Sequence, residues 1–267
     1  MKVLKHWTAE NFEISTHKYH LSERVNKTYK TSGNDNTGLC DYTYNELGFR
    51  GDSIKKEGFK VMALGCSHTE GVGVNNDETW PAQFAKLIPN GVNINFGTGG
   101  RSGDFVVRCL FSYYDLIKPD LVLIFYPEIV RREIYTKDGG VEPYMPTSAW
   151  GFTEETIEGM NTQKLKIELQ NDNEDFINWY KNHQLIKLFL ESKKCNFIWN
   201  GSLIRSSYKD EFRYDGDFFL NVLDKAVDNK HCGPMHLKNY ALNLHNFIQK
   251  NYPNYIHREN NNIKTLL

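Results

Sequence analysis

At 267 residues the chain is long enough to bury one sizeable core, and we expect a single domain spanning residues 1–267. Its formal net charge is −1 with both signs mixed along the chain, which argues against nucleic acid or a membrane surface as a partner. Five cysteines, an odd number without CxxC spacing, argue against a disulfide framework and a zinc knuckle.

Residues 1–45 are polar and show no sustained hydrophobic period, which predicts an irregular N-terminal arm laid over the domain. The first residues lack the continuous apolar stretch of a signal peptide, and no run approaches the length of a membrane-spanning helix. The sequence therefore predicts a soluble cytoplasmic protein.

An alternation of apolar runs and helical patterns follows the arm. Strands are predicted near 59–65, 91–96 and 120–126, with helices near 79–88 and 103–117 between them. The strand candidates are nearly continuous apolar runs or are rich in Val and Ile, as in strands that are covered on both faces. This pattern predicts an α/β fold with a parallel sheet.

The segment 127–172 is a mixture of Gly, Pro, Thr and Glu without periodicity. It is too long for an ordinary connection between a strand and a helix, and such segments usually have a function of their own. We interpret it as an insertion that forms a lid or substrate wall, with Tyr144, Trp150 and Phe152 as its contact residues.

Alternation resumes after the insertion with a predicted helix near 174–192 and a strand near 195–200. A weaker strand candidate lies at 217–223, and the final helix is predicted near 236–250. Residues 255–267 are polar and are predicted to form a loose tail.

Two features indicate nucleophilic chemistry. Ser67, in Gly65-Cys-Ser-His-Thr, follows an apolar run and precedes a glycine-bearing turn, which is where an α/β enzyme places a nucleophile. Asp228 and His231 form a DxxH pair before the last helix, so the carboxylate can hold the imidazole that activates the serine. Two alternatives stay open, in which Ser67 only caps a helix or His236 is the base.

Four sequence blocks resemble those of the SGNH (GDSL-like) hydrolase family, in order and spacing, from about Phe59 to Ile248. They are GCSHT, NFGTGGRS, PDLVLIFYPE and DNKH. The resemblance implies a flavodoxin-like, three-layer α/β/α sandwich with a five-stranded parallel sheet. It also implies ester hydrolysis through an acyl-serine.

By this resemblance Ser67 is the nucleophile, Asp228 the acid and His231 the base. The backbone N–H groups of Ser67 and Gly100 are the implied oxyanion donors. The stretches NELGFRGD and GCSHTEGVGVNNDETWP look similar to a subgroup that is common in bacterial and phage genomes. A phage-encoded member of this subgroup would be expected in association with the virion.

The chain departs from the family pattern at two positions. Cys66 stands where Asp is usual, and the third block reads FYPEIVRRE where the family has an asparagine that donates to the oxyanion. Losing one such donor costs on the order of a hundredfold to a thousandfold in turnover. Either Arg131, Arg132 or another group replaces the asparagine, or the protein is weakly active or inactive. Further candidates for oxyanion or substrate binding are Asn95, Arg101 and Glu128.

Other chemistries fit the residues less well. The glycine-rich segments match neither the phosphate-loop nor the dinucleotide fingerprint, and the histidines lack the paired spacing of a zinc site. We therefore expect no cofactor and no metal. The leading hypothesis is a serine esterase acting on a small O-acyl group, such as acetyl on a carbohydrate. The alternatives are an inactive scaffold with a binding or structural role, and an acyltransferase or thioesterase using the same residues.

Overall fold

The computed structural model describes residues 24–31, 40–135, 141–144, 172–201, 212–216 and 218–256. The strands in chain order are β1 Thr28–Thr31, β2 Cys40–Thr43, β3 Phe59–Gly65, β4 Gly91–Asn95, β5 Leu121–Phe125, β6 Arg132–Tyr135, β7 Val141–Tyr144 and β8 Asn196–Asn200. The α-helices are α1 Ser67–Glu70, α2 Trp80–Ala85, α3 Gly103–Ile117, α4 Asp172–Ser192 and α5 Pro234–Asn251, and short 3₁₀ turns cover Asn76–Glu78 and Pro253–Tyr255.

Four parallel strands form the central sheet in the order β4-β3-β5-β8. In this register Met62 of β3 lies between Ile94 of β4 and Val122 of β5. The strand that precedes Ser67 is therefore an inner strand of the sheet. The carboxyl ends of its two neighbours lie beside it, where a parallel sheet binds ligands.

Two apolar layers enclose the sheet because successive strand side chains point to opposite faces. Met62 and Leu64 pack with α3 and α4 on one face, whereas Val61 and Ala63 pack with α2 and α5 on the other. The three-layer α/β/α sandwich that the resemblance implies is thus confirmed, whereas the described residues form four of the five implied parallel strands. The predicted helices and the four stronger strand candidates agree with the structure to within a few residues.

The strand candidate at 217–223 is wrong for the residues described there. Residues 218–221 lie in bends and turns, residues 222–223 are irregular, and Asn221 has a left-handed φ of 55°. Phe218 is fully buried, whereas Phe219 and Leu220 are exposed, so the apolar run reflects one anchoring side chain and not a ladder. Beyond β8, a single parallel bridge joins Trp199 to Arg213.

The predicted irregular arm contains regular structure, since β1 and β2 pair in antiparallel fashion. Tyr42 and Tyr44 bury their rings, which gives this pair an apolar side facing the domain. In the insertion, β6 and β7 also pair in antiparallel fashion. The proposed lid residues Trp150 and Phe152 fall outside the described residues, as does the tail beyond residue 256.

Candidate active site

Ser67 lies at the sharp turn between β3 and α1. Gly65 ends the strand, and a Cβ atom there would lie 2.2 Å from Thr69 Oγ1. The close approach of Thr69 to the backbone therefore requires glycine at position 65. The backbone oxygen of the buried Cys66 accepts from the N–H groups of Thr69 and Glu70, which starts the helix at Ser67. The half-buried serine is therefore presented at the carboxyl edge of the sheet.

A second turn, after β4, packs directly against α1. Asn95 fixes it, because its Nδ2 donates to the Thr69 oxygen over 2.8 Å and its Oδ1 accepts from the Gly97 N–H over 2.8 Å. A Cβ atom on Gly99 would lie 3.8 Å from Ser67 Cβ. Asn95 is completely buried and acts as a support for the turn, not as the substrate contact expected for it.

This second turn leaves backbone donors beside Ser67. The Gly99 N–H is used, since it donates to Glu70 Oε2 over 2.6 Å. In the part of the chain that the structure describes, the N–H groups of Ser67 and Gly100 have no hydrogen-bond acceptor. Gly100 adopts a left-handed φ of 71°, which glycine tolerates without strain. These are the two backbone donors that the family resemblance implies.

Asp228 and His231 form a buried pair. Asp228 Oδ2 lies 2.5 Å from His231 Nδ1, and its Oδ1 accepts from the N–H groups of Lys230 and His231, each over 3.0 Å. Burial alone would raise the pKa of Asp228, but these hydrogen bonds and the imidazole lower it. The carboxylate therefore stays ionised and holds Nδ1–H, which leaves Nε2 as the proton acceptor of His231.

The loop that bears this pair docks beside the nucleophile. The Val227 N–H donates to the Gly73 oxygen over 3.1 Å, and Asp228 Oδ1 lies 3.3 Å from where a Cβ of Gly73 would be. The His231 ring is 5.0 Å from the ring of His68, the neighbour of Ser67 in sequence. Among the described residues the Ser67 hydroxyl makes no hydrogen bond, a looseness common in sites without substrate.

His68 forms an aromatic wall next to this pair. Its ring lies 5.3 Å from Phe218 and 4.9 Å from Phe219, and its Nδ1 is buried without a hydrogen-bond partner. Burial lowers the pKa of His68 to about 3, and His231 and Arg131 add to this effect. The ring is therefore neutral at physiological pH and contributes no charge to the site.

His236, the alternative base, is occupied elsewhere. Its Nδ1 accepts from the Leu223 N–H over 3.4 Å, and its Nε2 donates to the Phe218 oxygen over 2.6 Å. Both ring nitrogens of His236 therefore form hydrogen bonds with the backbone of the loop 218–223, which gives this histidine a structural role.

The arginines expected to replace the missing asparagine lie in different surroundings. Arg132 forms ion pairs with Glu174 and Asp175 of α4 at 2.9 and 2.6 Å, so it joins the insertion to that helix. Arg131 pairs with Glu128 at 3.2 Å, and its charge acts on His68, so this pair borders the site. Arg132 is thereby removed as a candidate oxyanion donor.

Arg101, the remaining arginine candidate, follows Gly100 directly. Its side chain is buried, with the guanidinium over the ring of Phe105 at 5.2 Å. The structure thus places Arg101 next to the turn that bears the free Gly100 N–H.

Arg50 is a supporting residue that the motif analysis did not single out, although it lies within the conspicuous NELGFRGD stretch. Its buried guanidinium donates to the backbone oxygens of Glu70, Gly71 and Val74 over 2.9, 2.6 and 2.8 Å. Its charge also lies 3.9 Å from the centre of the Tyr42 ring. Arg50 therefore fixes the turn on which the Asp228 loop docks.

The described residues contain no group of three or more His, Cys, Asp or Glu side chains placed to hold a metal ion. Within the same residues, no helix combines the length and hydrophobicity needed to cross a membrane.

Neither a protein-family model nor a curated protein sequence matches the chain. Among solved structures it is similar to a protein assigned to the lipolytic G-D-S-L family from Desulfitobacterium hafniense DCB-2, at 16% identity and a TM-score of 0.31, over 70% of this chain and 98% of that one. It is also similar to a carbohydrate acetylesterase family member from Sinorhizobium meliloti, at 11% identity and a TM-score of 0.33, over 72% of this chain and 97% of that one. Similarity at this level identifies no catalytic residue of this chain, so the function proposed below rests on the site itself.

Proposed function

We propose that this chain is a serine hydrolase of the SGNH type that cleaves esters. The single observation behind the proposal is the buried pair of Asp228 and His231, docked on the turn that follows Ser67. Among the described residues, no acceptor engages the backbone N–H groups of Ser67 and Gly100. These groups support the proposed roles of base, orienting carboxylate, nucleophile and oxyanion donor at one edge of the sheet.

The reaction proceeds in two halves. Ser67 Oγ attacks the ester carbonyl while His231 Nε2 takes its proton, and the N–H groups of Ser67 and Gly100 donate to the oxyanion. The tetrahedral intermediate then collapses, and His231 returns the proton to the departing alcohol. In the second half, water loses a proton to His231 and attacks the acyl-serine. The bond from the acyl carbon to Ser67 Oγ then breaks, His231 returns the proton to Oγ, and the carboxylic acid leaves.

The substrate we propose is a small O-acyl ester, such as an acetyl group on a carbohydrate. The aromatic wall of His68, Phe218 and Phe219 beside His231 offers an apolar surface to such an acyl group. None of these contacts requires the substrate to carry a negative charge.

Ser67→Ala is the direct test. We expect it to abolish hydrolysis of p-nitrophenyl acetate while the thermal unfolding temperature stays within a few degrees of the wild type. Ser192→Ala is the matched control, because Ser192 is exposed and donates only to the Phe189 oxygen at the end of α4. Activity that survives in Ser67→Ala would disprove the assignment.

A fluorophosphonate probe separates the enzyme from the second candidate, a scaffold that binds without turnover, which the missing asparagine favours. An activated serine reacts with the probe, so we expect covalent labelling of the wild type and of Ser192→Ala, and none of Ser67→Ala. A wild type that is folded yet unlabelled would favour the scaffold.

A further inference from the structure

Arg101 is a buried cation without a counter-ion in contact. The residue is 5% exposed, and its Nε lies buried without a hydrogen-bond partner. Across the described ranges, no hydrogen bond or ion pair engages its guanidinium, whose neighbour is the face of the Phe105 ring. A buried charge left in this way destabilises a fold, so its presence calls for a functional reason.

The two acidic side chains whose charges act on Arg101, Glu133 and Glu70, accept hydrogen bonds from other donors. Glu133 receives both Nε and Nη2 of Arg108, at 2.6 and 2.5 Å, in a pair that is almost completely buried. Glu70 accepts from the Gly99 N–H and lies 3.7 Å from Arg24. Burial lowers the pKa of Arg101 to about 10, so the guanidinium is still charged at neutral pH.

The position of Arg101 brings it to the two loops that border the nucleophile. It follows Gly100, whose turn packs beside Ser67, and it precedes Ser102, the N-cap residue of α3. The segment after β5 reaches the first turn of α3, because the N–H of Glu133 in β6 donates to Asp104 Oδ2 over 2.8 Å. The family's asparagine would belong to the loop between β5 and β6, and the charge of Glu133, just after that loop, acts on Arg101.

We propose that Arg101 supplies the third hydrogen-bond donor to the oxyanion, in place of the family's asparagine. This role rests on the proposed function. When the bond from Ser67 Oγ to the carbonyl carbon forms, the π electrons of the carbonyl move onto its oxygen, and the guanidinium donates to that charge. When the intermediate collapses, the carbonyl is restored, the bond to the alcohol oxygen breaks, and His231 protonates the alcohol.

This assignment favours Arg101 over the neighbouring arginines on grounds of pairing. The guanidinium of Arg132 forms ion pairs with two carboxylates of α4, and that of Arg131 forms an ion pair with Glu128. A donor already bound to a carboxylate must break that pair before it can serve an oxyanion. Arg101 needs no such rearrangement, which is the preorganisation that oxyanion stabilisation depends on.

Kinetics of Arg101→Gln and Arg101→Lys with p-nitrophenyl acetate, a neutral ester, test the proposal. For Arg101→Gln we expect kcat to fall on the order of a hundredfold to a thousandfold with KM changed by less than about threefold. Arg101→Lys keeps a charged donor, so we expect it to recover about tenfold of that loss. Lys86→Gln removes one exposed positive charge after α2 and serves as the control, with kcat unchanged.

Thermal unfolding of Arg101→Met gives a readout that is independent of turnover. Because the charge is buried and unpaired, we expect the melting temperature to rise by about 2 °C or more. A clear fall in melting temperature would show that Arg101 supports the fold, which would overturn its assignment as an unengaged donor.

Three kinetic results would also overturn the proposal. They are an unaltered kcat in Arg101→Gln, a loss confined to the KM of esters that carry a carboxylate, and a large kcat loss in Arg131→Gln alone. The second would make Arg101 a receptor for a substrate anion. A failure of the proposed function is distinguishable, because the wild type would then show neither Ser67-dependent turnover nor fluorophosphonate labelling.

Discussion

His68 follows Ser67 in sequence, its ring lies 5.0 Å from the ring of His231, and its burial keeps the imidazole uncharged. Its pKa of about 3 is well below the ordinary value of 6.5. Between these two values the unfolded chain binds a proton at His68 that the folded chain excludes. Lowering the pH through this window therefore favours the unfolded state.

We predict that His68→Phe makes the protein less sensitive to mild acid. The wild type should lose about 2 kcal/mol of folding free energy through this group between pH 7 and pH 5. Phenylalanine keeps the ring contacts with Phe218 and Phe219 and does not titrate. Guanidinium denaturation of both proteins at the two pH values measures the difference, and equal losses would contradict the prediction.

For single residues, the sequence predicted a side-chain pairing only where the two partners lie close together in the chain. Asp228 and His231 are three residues apart and precede the last helix, so spacing and placement together predicted their pairing. The states of Arg101, Arg131 and Arg132 could not be anticipated, because they depend on carboxylates in distant segments such as Glu174. Spacing identifies a charged residue near a site, whereas only the packed structure shows whether a partner has already engaged it.

Among the elements, the turn after α1 depends on the segment that precedes β3. Arg50 donates to three backbone oxygens of the turn, and the Tyr42 hydroxyl accepts from the Gly73 N–H over 2.6 Å. The Asp228 loop docks on the same turn through the Gly73 oxygen. The geometry of the base is therefore set partly by residues that lie before the nucleophile in sequence.

We predict that Arg50→Met destabilises the protein by about 3 kcal/mol or more, because it leaves buried carbonyl oxygens without donors. Turnover at temperatures below unfolding should also fall at least about tenfold, since the Asp228 loop loses its support. Tyr42→Phe removes one acceptor and keeps the ring, so a loss of about 1 kcal/mol is expected. Chemical denaturation measures the change in stability, and steady-state kinetics measure the change in turnover. A stability loss in Arg50→Met no larger than in Tyr42→Phe would contradict the support of the turn by Arg50.

The four strands of the parallel sheet and the long helices were predictable because each has a continuous periodic signal. The run at 217–223 has the composition of a strand but not its structure. There Asn221 turns the backbone, and Phe218 is held by rings from β5 and α5, at 4.6 Å from Phe125 and 4.7 Å from Tyr240. Short apolar runs are ambiguous in this way, because burial of a single side chain mimics a strand pattern.

Across the whole molecule, all five cysteines are free, and four of them are buried. Burial raises the pKa of Cys109 to about 12 and the pKa values of Cys195 and Cys232 to about 11. Thiols in this state are poor nucleophiles because little thiolate is present at neutral pH. The fold therefore gains no stability from disulfide cross-links.

We predict that the melting temperature is the same with and without a phosphine reductant, to within about 1 °C. Ellman's reagent should titrate five thiols in guanidinium and less than one within minutes in the native protein. A melting temperature that drops on reduction would reveal a cross-link and contradict this prediction.

The order of the elements along the chain also has a consequence for synthesis. Ser67 belongs to the first third of the chain, whereas Asp228 and His231 precede α5, which packs against α2 on one face of the sheet. At about 5–20 residues per second, a ribosome needs on the order of ten seconds to add the base after the nucleophile. During that interval a nascent chain exposes a serine that no imidazole can activate. If Ser67 and His231 have the roles we propose, newly made molecules are therefore inactive until translation has reached α5.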